Sequence, residues 1–290
     1  MLVAAPAFVE MPVPGLVGGR CPPLTDALAD AVASTAGSSN APASATVRIV
    51  LRRTDKRQHT ALAVVNITVV AARERTPTDS PADGAELNTA LRSAAPSIVV
   101  QLRPGTNYSA FGNLYAAFQA TSSAARPVIV LGAPGAVLDS LGLDNVGHII
   151  FERVAFRMGS SEDDRVLSVK RARGVRLTNC TFEGLRVSVD VSDGQSWKRQ
   201  EDFRYLGRGV STREYSYVVV QGCRLERLNR HIVASVNARS LAVIDSLSAE
   251  SAHDHIFLQQ STAIWMEGIE LRYHAGNYLE AEHRDCLQLA

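Results

Sequence analysis

A pattern of apolar and polar positions recurs five times in the second half of the chain. With few exceptions, each copy follows the order apolar, any, apolar, polar, any, small or apolar, any, apolar. The copies are Ile149–Phe156, Val175–Phe182, Val218–Leu225, Leu241–Ser248 and Ile264–Leu271. Their first residues are separated by 26, 43, 23 and 23 positions. A repeat in the low twenties is typical of one rung of a parallel β-helix, and the longest interval indicates a rung with an inserted segment.

A second strand is predicted ahead of the repeats. Each copy of this strand is a short apolar run, and the runs are Val166–Val169, Ile232–Ser235, Ile256–Gln259 and Cys286–Leu289. Upstream, residues 97–102 and 127–131 resemble two opening rungs. Alternate side chains of such strands point into a narrow core, and stacking at about 4.8 Å places like residues over like. The pattern therefore predicts an all-β fold, a right-handed parallel β-helix solenoid, over residues 97–290.

The first part of the chain has a different pattern. One helical stretch, Leu24–Ala36, is followed by two alternating runs, Thr46–Arg53 and Ala61–Ala72, which predict a β-hairpin or two strands of a small sheet. Residues 1–76 are therefore predicted to form a small N-terminal α+β module. Residues 77–96 begin with a polar stretch that contains Pro77 and Pro81, and they are predicted to form a linker.

Composition narrows the classes of partner. The 30 basic residues are balanced by 29 acidic ones, for a net charge of +1, and they form no basic stripe of the kind that nucleic acids require. No run of about 18 apolar residues is present, so no membrane span is expected. Only three of the basic residues are lysine. Arginine suits carboxylate and phosphate groups, which favours acidic glycans as partners, although a GC-rich genome gives the same bias.

The four cysteines predict no disulfide framework. They form no CxxC pair, which fits synthesis in a reducing compartment. Cys180 and Cys223 occupy the same position of successive repeats and are predicted to be buried, inert thiols. The seven histidines follow no spacing typical of metal ligands, so neither a metal nor another cofactor is expected.

Polar pairs lie directly ahead of the second strand in several rungs. They are Asp164–Arg165, Arg230–His231, Asp254–His255 and Arg284–Asp285. Stacked side chains of this kind offer a general base, a cation and a proton donor for chemistry on an acidic polysaccharide. The alternative is a solvated turn whose charges compensate each other. The candidate catalytic residues are His255, His283, Asp285 and Arg230. The candidate glycan contacts along the same edge are Asp254, Arg272 and His274.

A long insertion is predicted between Val187 and Ser216. It is rich in aromatic residues and arginine, which stack on sugar faces and pair with acidic groups. Its candidate glycan contacts are Trp197, Arg199, Arg204, Tyr205 and Arg208. The same composition is also typical of protein interfaces, so an oligomer contact is the alternative.

One short element resembles a known superfamily. His283, Asp285 and Gln288 match the His-x-Asp-x-x-Gln element of bacterial and phage β-helix proteins in the pectate-lyase-like superfamily, including alginate-epimerase-like members. The resemblance covers roughly residues 97–290 and implies a right-handed parallel β-helix. Its members include lyases, epimerases, hydrolases and non-catalytic spikes, so the fold does not decide the activity. The Asp-Pro-His motif of the epimerases is absent, and no set of Asp residues suits a pectate-lyase calcium site. Both absences count against catalysis.

The layout of the whole sequence also resembles the spikes of tailed phages and the head spikes of phage-like gene transfer agents. The resemblance implies a non-catalytic spike or adhesin subunit that is made in the cytoplasm, docks to a particle or capsid protein through its N-terminal module and binds host surface polysaccharide. The last rung, near Leu287 and Leu289, is expected to be covered by another chain or a second copy, unless the sequence is truncated. The alternative function is a lyase or C5-epimerase of an acidic polysaccharide, and the alternative location is secreted or on the cell surface.

Overall fold

The computed structural model describes residues 44–54, 60–70, 76–109, 112–115, 117, 122–123, 126–160, 165–188, 203–274 and 287–289. The chain divides into two units, Met1–Arg75 and Thr76–Ala290. In the first unit, β1 (Ser44–Thr54) pairs antiparallel with β2 (Thr60–Val70). These strands coincide with the two alternating runs of the sequence, whereas the helix predicted at residues 24–36 lies outside the described residues.

The second unit contains three parallel sheets of seven strands each. Sheet A consists of β3 (Val99–Gln101), β6 (Val128–Leu131), β9 (His148–Glu152), β12 (Gly174–Thr178), β17 (Val218–Gln221), β20 (Arg239–Ile244) and β23 (Thr262–Glu267). Sheet B consists of β4 (Asn107–Tyr108), β7 (Val137–Asp139), β10 (Ala155–Arg157), β13 (Thr181–Glu183), β18 (Arg224–Glu226), β21 (Leu247–Ser251) and β24 (Glu270–His274). Sheet C consists of β5 (Gly112–Tyr115), β8 (Leu141–Asp144), β11 (Arg165–Lys170), β16 (Arg208–Arg213), β19 (Arg230–Ala234), β22 (Ile256–Leu258) and β25 (Leu287–Leu289).

Each turn of the chain adds one strand to every sheet, and we call these three strands a rung. Rung 1 is β3, β4 and β5, and rung 7 is β23, β24 and β25. Within each sheet a strand pairs with the strands of the rungs before and after it, an arrangement compatible with a β-helix solenoid. The predicted all-β architecture of stacked parallel strands is confirmed, and its right-handed sense stays a prediction.

The core lies between the three sheets as columns of like side chains. Phe151 and Leu177 face it from sheet A, and Phe156 and Phe182 face it from sheet B; all four are buried. The rings of Phe156 and Phe182 stack with their centroids 4.8 Å apart and an interplanar angle of 4°. This distance equals the spacing of neighbouring strands, so the ladder follows directly from the repeat.

The corner between sheets A and B contains a residue with positive φ in rungs 3 to 7. The residues are Arg153 (φ 56°), Asn179 (φ 53°), Gly222 (φ 62°), Asp245 (φ 47°) and Gly268 (φ 62°). Glycine, asparagine and aspartate adopt this left-handed conformation most readily, so four of the five positions suit the corner. The eight-residue repeat of the sequence is therefore two strands joined by a left-handed corner.

The linker predicted at residues 77–96 contains a helix instead. Helix α1 (Gly84–Arg92) begins at Asp83, whose carboxylate accepts a hydrogen bond from the Glu86 amide at 2.9 Å, while Glu86 accepts one from the Ala82 amide at 2.7 Å. This reciprocal cap stabilises the first turn. Leu87 and Leu91 are fully buried in the core of the second unit, so α1 belongs to that unit. In the described part of the chain no helix is long and apolar enough to cross a membrane.

The insertion predicted between Val187 and Ser216 is shorter than its sequence indicates. An antiparallel hairpin, β14 (Leu185–Ser188) with β15 (Phe203–Leu206), is followed directly by β16, which is the sheet C strand of rung 4. The local sequence does not indicate this strand, since Arg208 and Arg213 flank a short run, Gly209–Thr212, with only one large apolar residue. Backbone pairing with β11 and β19 stabilises this strand despite its composition.

Candidate functional site

A groove runs along the outward face of sheet A. Its volume is about 430 Å³, and its lining residues extend from Pro127 in rung 2 to Trp265 in rung 7. Five strand spacings of about 4.8 Å separate these rungs, so the groove is roughly 24 Å long. Its shape suits an extended ligand that lies along the stack of rungs.

The floor of the groove is a column of outward-facing residues that the strand register stacks in order. They are Ile150, Arg176, Val219, Ala242 and Trp265. Ile150, Val219 and Ala242 of this column have short apolar side chains. Two aromatic side chains of the lining are exposed: Trp265 of rung 7 is 61% exposed, and Tyr217, which precedes β17 of rung 5, is 49% exposed. Aromatic side chains that line a concave, mostly apolar surface are typical of ligand-binding sites.

The polar groups of the groove are few, and among the described lining residues they include one arginine, Arg176. Arg176 extends to Gln221, to which its Nη2 donates a hydrogen bond at 2.7 Å, and Trp265 Nε1 donates one to Glu267 at 3.2 Å. Among the described lining residues none is acidic. The groove therefore offers donors and ring faces to a ligand that is rich in hydroxyl or acidic oxygen atoms.

His148 lies at the edge of the groove. It starts β9 and is stacked on Gly174 of β12, where a Cβ atom would overlap the imidazole ring. Burial, and then the positive charge of Arg173, lower the pKa of His148 below its usual value of 6.5. The ring is therefore neutral near pH 7 and acts there as a hydrogen-bonding group.

The predicted base His255 lies inside the solenoid. It is buried together with His231 and Ser248, and the Ser248 hydroxyl oxygen lies 2.6 Å from the Nδ1 atom of each imidazole. Since a hydroxyl has one proton, at least one imidazole donates its Nδ1–H to the Ser248 oxygen. Ser248 occupies the sheet B position that Leu225 fills in the preceding rung. This buried polar cluster takes the place of a core apolar side chain.

The predicted residues Arg230 and Asp254 form an ion pair beside that cluster. The Asp254 carboxylate is fully buried and lies 3.0 Å from Arg230 Nε and 2.8 Å from His253 Nδ1. The Arg230 guanidinium also covers the Phe257 ring, 4.6 Å from its centroid. Such a buried pair holds the turn between β21 and β22, and removing one partner would leave an uncompensated charge.

Arg208, which was predicted in a loop, instead begins β16. The register pairs Arg208 with Arg165 on one side and with Arg230 on the other, so three arginines stack in adjacent rungs of sheet C. We call these three residues the arginine column. The sequence pattern predicts Arg165 and Arg230 in one polar column but Arg208 in the insertion, because β16 has no clear strand pattern.

The remaining predicted glycan contacts are dispersed. Tyr205 is buried in β15, and its hydroxyl donates to Glu250 at 3.5 Å. Arg272 is half-exposed and forms an ion pair with Glu270 at 2.5 Å. Arg204 and His274 end up on strands β15 and β24, and their side chains lie outside the described part of the structure. Four predicted residues lie outside the described residues altogether: Trp197, Arg199, His283 and Asp285.

Cys180 and Cys223 lie at equivalent corners of rungs 4 and 5 and are buried, unpaired thiols. The hydrogen bond with Cys223, together with burial, raises the pKa of the Cys180 thiol, which therefore stays protonated. Over the described ranges, no three His, Cys, Asp or Glu side chains are grouped so as to hold a metal ion.

The groove on sheet A is not predicted from the sequence, although the sequence contains one signal for it. Trp265 follows Ile264, a core position of the repeat, so strand alternation alone places the indole on the outward face. The depth of the groove depends on side chains from six rungs and has no local signal.

No family model, curated protein or solved structure matches this chain.

Proposed function

We propose that this chain is a non-catalytic polysaccharide-binding protein of the spike or adhesin kind, with a right-handed β-helix of the pectate-lyase-like type. The observation that carries the proposal is the groove on sheet A, which is long, open and lined by Tyr217 and Trp265. Aromatic faces stack on the apolar faces of sugar rings, and both aromatic side chains line this groove. A linear glycan is the ligand whose shape fits such a groove.

The particle-related part of the proposal rests on the layout of the sequence. Under it, the N-terminal unit docks to a particle protein, and a second chain or copy covers rung 7. Leu287 and Leu289 of that rung are 46% and 72% exposed, which suits a partner that shields apolar surface. Weak glycan contacts repeated over several copies then give tight attachment through avidity.

Trp265→Ala and Tyr217→Ala test the glycan site. Each variant is expected to weaken binding of a host capsular polysaccharide by about ten-fold in isothermal titration calorimetry, because each removes one stacking face. Tyr215→Ala is the matched control, since Tyr215 is 51% exposed but lies outside the lining and packs against Arg239. Unchanged affinity in both groove variants would refute the site.

The same polysaccharide also tests for catalysis. After overnight incubation with the protein, size-exclusion chromatography is expected to show polymer of unchanged length that elutes with the protein. A shift to shorter species would overturn the non-catalytic proposal and favour the lyase alternative. The predicted bases would then be His255, after a rearrangement that exposes it, and His283.

A further inference from the structure

Two buried thiols lie at the same corner of neighbouring rungs. Cys180 precedes β13 of rung 4 and Cys223 precedes β18 of rung 5, and the register pairs Thr181 with Arg224 where these strands begin. The Arg224 amide donates a hydrogen bond to the Cys180 carbonyl oxygen at 2.9 Å. The stacking of parallel strands therefore sets about 4.8 Å between the Cα atoms of the two cysteines. Disulfides join Cα atoms that are about 4.4 to 6.8 Å apart, so the backbone already provides a suitable separation.

The two side chains share one small part of the core. Cys180 is 1% exposed and Cys223 is 2% exposed. The Cys180 Sγ atom lies 3.5 Å from the Thr178 carbonyl oxygen, and the Cys223 Sγ atom lies 3.5 Å from the carbonyl oxygen of the preceding residue, Leu177. The two thiols also form a hydrogen bond with each other. The sulfur atoms therefore lie side by side inside the solenoid, and neither cysteine belongs to the described lining of the groove on sheet A.

The hydrogen bond between the thiols makes them unequal. It lowers the pKa of the Cys223 thiol below its usual value, because the Cys180 S–H group stabilises the Cys223 thiolate. The same hydrogen bond, together with burial, raises the pKa of Cys180. The thiolate, rather than the thiol, is the nucleophile that peroxides oxidise, so Cys223 is the sulfur that reacts first. Cys180 stays protonated beside it, within reach of the product.

We propose that Cys180 and Cys223 form an oxidation site, where hydrogen peroxide converts the two buried thiols into a disulfide that joins rungs 4 and 5. The Cys223 thiolate attacks one peroxide oxygen, the O–O bond breaks and hydroxide leaves, so Cys223 becomes a sulfenic acid. The Cys180 sulfur then attacks the Cys223 sulfur, and the sulfenic oxygen leaves as water with the Cys180 proton. The two thiols together lose two electrons and two protons, and one peroxide molecule becomes two water molecules.

Burial limits the rate of this step without preventing it. Peroxide is hardly larger than water, so a local opening of the corner is enough to admit it. The sequence analysis predicted buried, inert thiols, and their burial is confirmed. Under the proposal, their inertness applies only while the protein stays in a reducing compartment.

The disulfide would close the longest interval between the repeats. Cys180 and Cys223 are 43 residues apart, and the chain between them includes the hairpin of β14 and β15 as well as strand β16. A cross-link removes conformational entropy from the unfolded chain, and the effect grows with the length of the loop that it closes. The oxidised protein is therefore expected to be more stable than the reduced protein.

Peroxide treatment of the full-length protein tests the site. Remaining thiols are alkylated in denaturant, and tryptic peptides are analysed by mass spectrometry without reduction. Cleavage after arginine places the cysteines on separate peptides, Leu177–Arg186 and Glu214–Arg224. We expect a linked pair that is two hydrogen atoms lighter than the sum of these peptides and that dithiothreitol separates. A link from either peptide to Cys21 or Cys286 would overturn the proposal, and so would two cysteines that are still fully alkylated after overnight treatment.

Urea unfolding measures the effect of the link. The oxidised protein is expected to unfold at about 1 M more urea than the reduced protein, and dithiothreitol is expected to reverse the shift. An unchanged midpoint in fully linked protein would refute the stabilising role of the disulfide.

Cys180→Ser and Cys223→Ser are the matched controls. In Cys180→Ser no resolving thiol remains beside Cys223, so peroxide is expected to oxidise Cys223 further, to a sulfinic acid. In Cys223→Ser, Cys180 is expected to remain a thiol, because burial still opposes its ionisation. Formation of the sulfinic acid in the unmodified protein, with no link, would contradict a resolving role for Cys180.

The same two variants separate the link from other oxidation. Peroxide also oxidises methionine, and both variants keep the four methionines of the chain. A urea shift that persists in both variants would therefore come from methionine and would overturn the stabilising role. Circular dichroism checks that each variant keeps its strands, and the linked peptides of the unmodified protein decide the proposal if a variant does not fold.

Discussion

At the scale of single residues, the charge of the groove on sheet A depends on whether His148 is protonated. His148 is stacked on Gly174 and lies near Arg173, and both burial and that arginine oppose its protonation. The folded protein therefore binds a proton at His148 less readily than the unfolded chain does. Proton binding is linked to folding, so the contribution of His148 to the free energy of unfolding is fully present above about pH 6.5, where its ring is neutral. This contribution is lost as the pH falls from 6.5 through the lowered pKa of His148 in the folded protein.

An NMR titration of the His148 ring protons checks this effect. The midpoint is expected below pH 6.5, and in Arg173→Gln it is expected to rise towards 6.5 without reaching it, because burial is the larger cause. His148→Gln removes the resonance and so assigns it among the seven histidines. A midpoint at or above 6.5 in the unmodified protein would contradict the proposed environment.

At the scale of elements, the corners between sheets A and B determine how successive rungs fit together. Asn179 and Gly222 occupy equivalent corners of rungs 4 and 5, and a Cβ atom on Gly222 would overlap the Asn179 side-chain oxygen. Asp245 and Gly268 repeat the arrangement in rungs 6 and 7. The side chain of one corner thus fills the space that the glycine of the next corner leaves open.

Gly222→Ala is expected to lower the free energy of unfolding by about 2 kcal/mol, from left-handed strain and from the overlap with Asn179. Gly105→Ala is the control, because Gly105 also has a positive φ of 68° but nothing lies within 4 Å of the added Cβ. It should cost only about 1 kcal/mol in urea unfolding. If Asn179→Ala does not reduce the difference between the two substitutions, the overlap is not its cause.

At the scale of the whole molecule, each rung of the second unit is supported by the rungs on either side. Leu241 and Val243 of rung 6 are buried, whereas the corresponding Ile264 and Met266 of rung 7 are partly exposed. Stability in such a stack depends on contacts between neighbouring rungs, and the partly exposed Ile264 and Met266 make fewer of them than Leu241 and Val243 do. Rung 7 is therefore expected to open more often than the rungs in the middle.

Hydrogen–deuterium exchange tests this gradient. Amides of β23 are expected to exchange at least about ten-fold faster than those of β17 in dilute protein. If the protection of β23 rises with protein concentration, a second copy covers rung 7, as the sequence analysis predicts for the end near Leu287. Equal, slow exchange of β17 and β23 at every concentration would contradict the gradient.

Much of the fold follows from local pattern. Strand alternation in segments such as Val175–Phe182 places the core side chains, and the regular interval between the repeats places one rung on another. The strands of sheets A and B were predictable for this reason. The residues at the left-handed corners follow from the same repeat, because glycine, asparagine and aspartate are the types that adopt positive φ.

Features that depend on distant partners were decided by the tertiary structure. β16 is a strand because β11 and β19 pair with it, and α1 is held to the solenoid by Leu87 and Leu91, whose burial no short window reveals. His255 is polar and was therefore expected at the surface, yet it lies inside the core, where its Nδ1 atom is within hydrogen-bonding distance of the Ser248 hydroxyl. The sequence by itself determined the repeating ladder. Only the folded molecule determined which polar side chains are buried, where the groove lies and how three arginines form one row, because these depend on contacts between rungs.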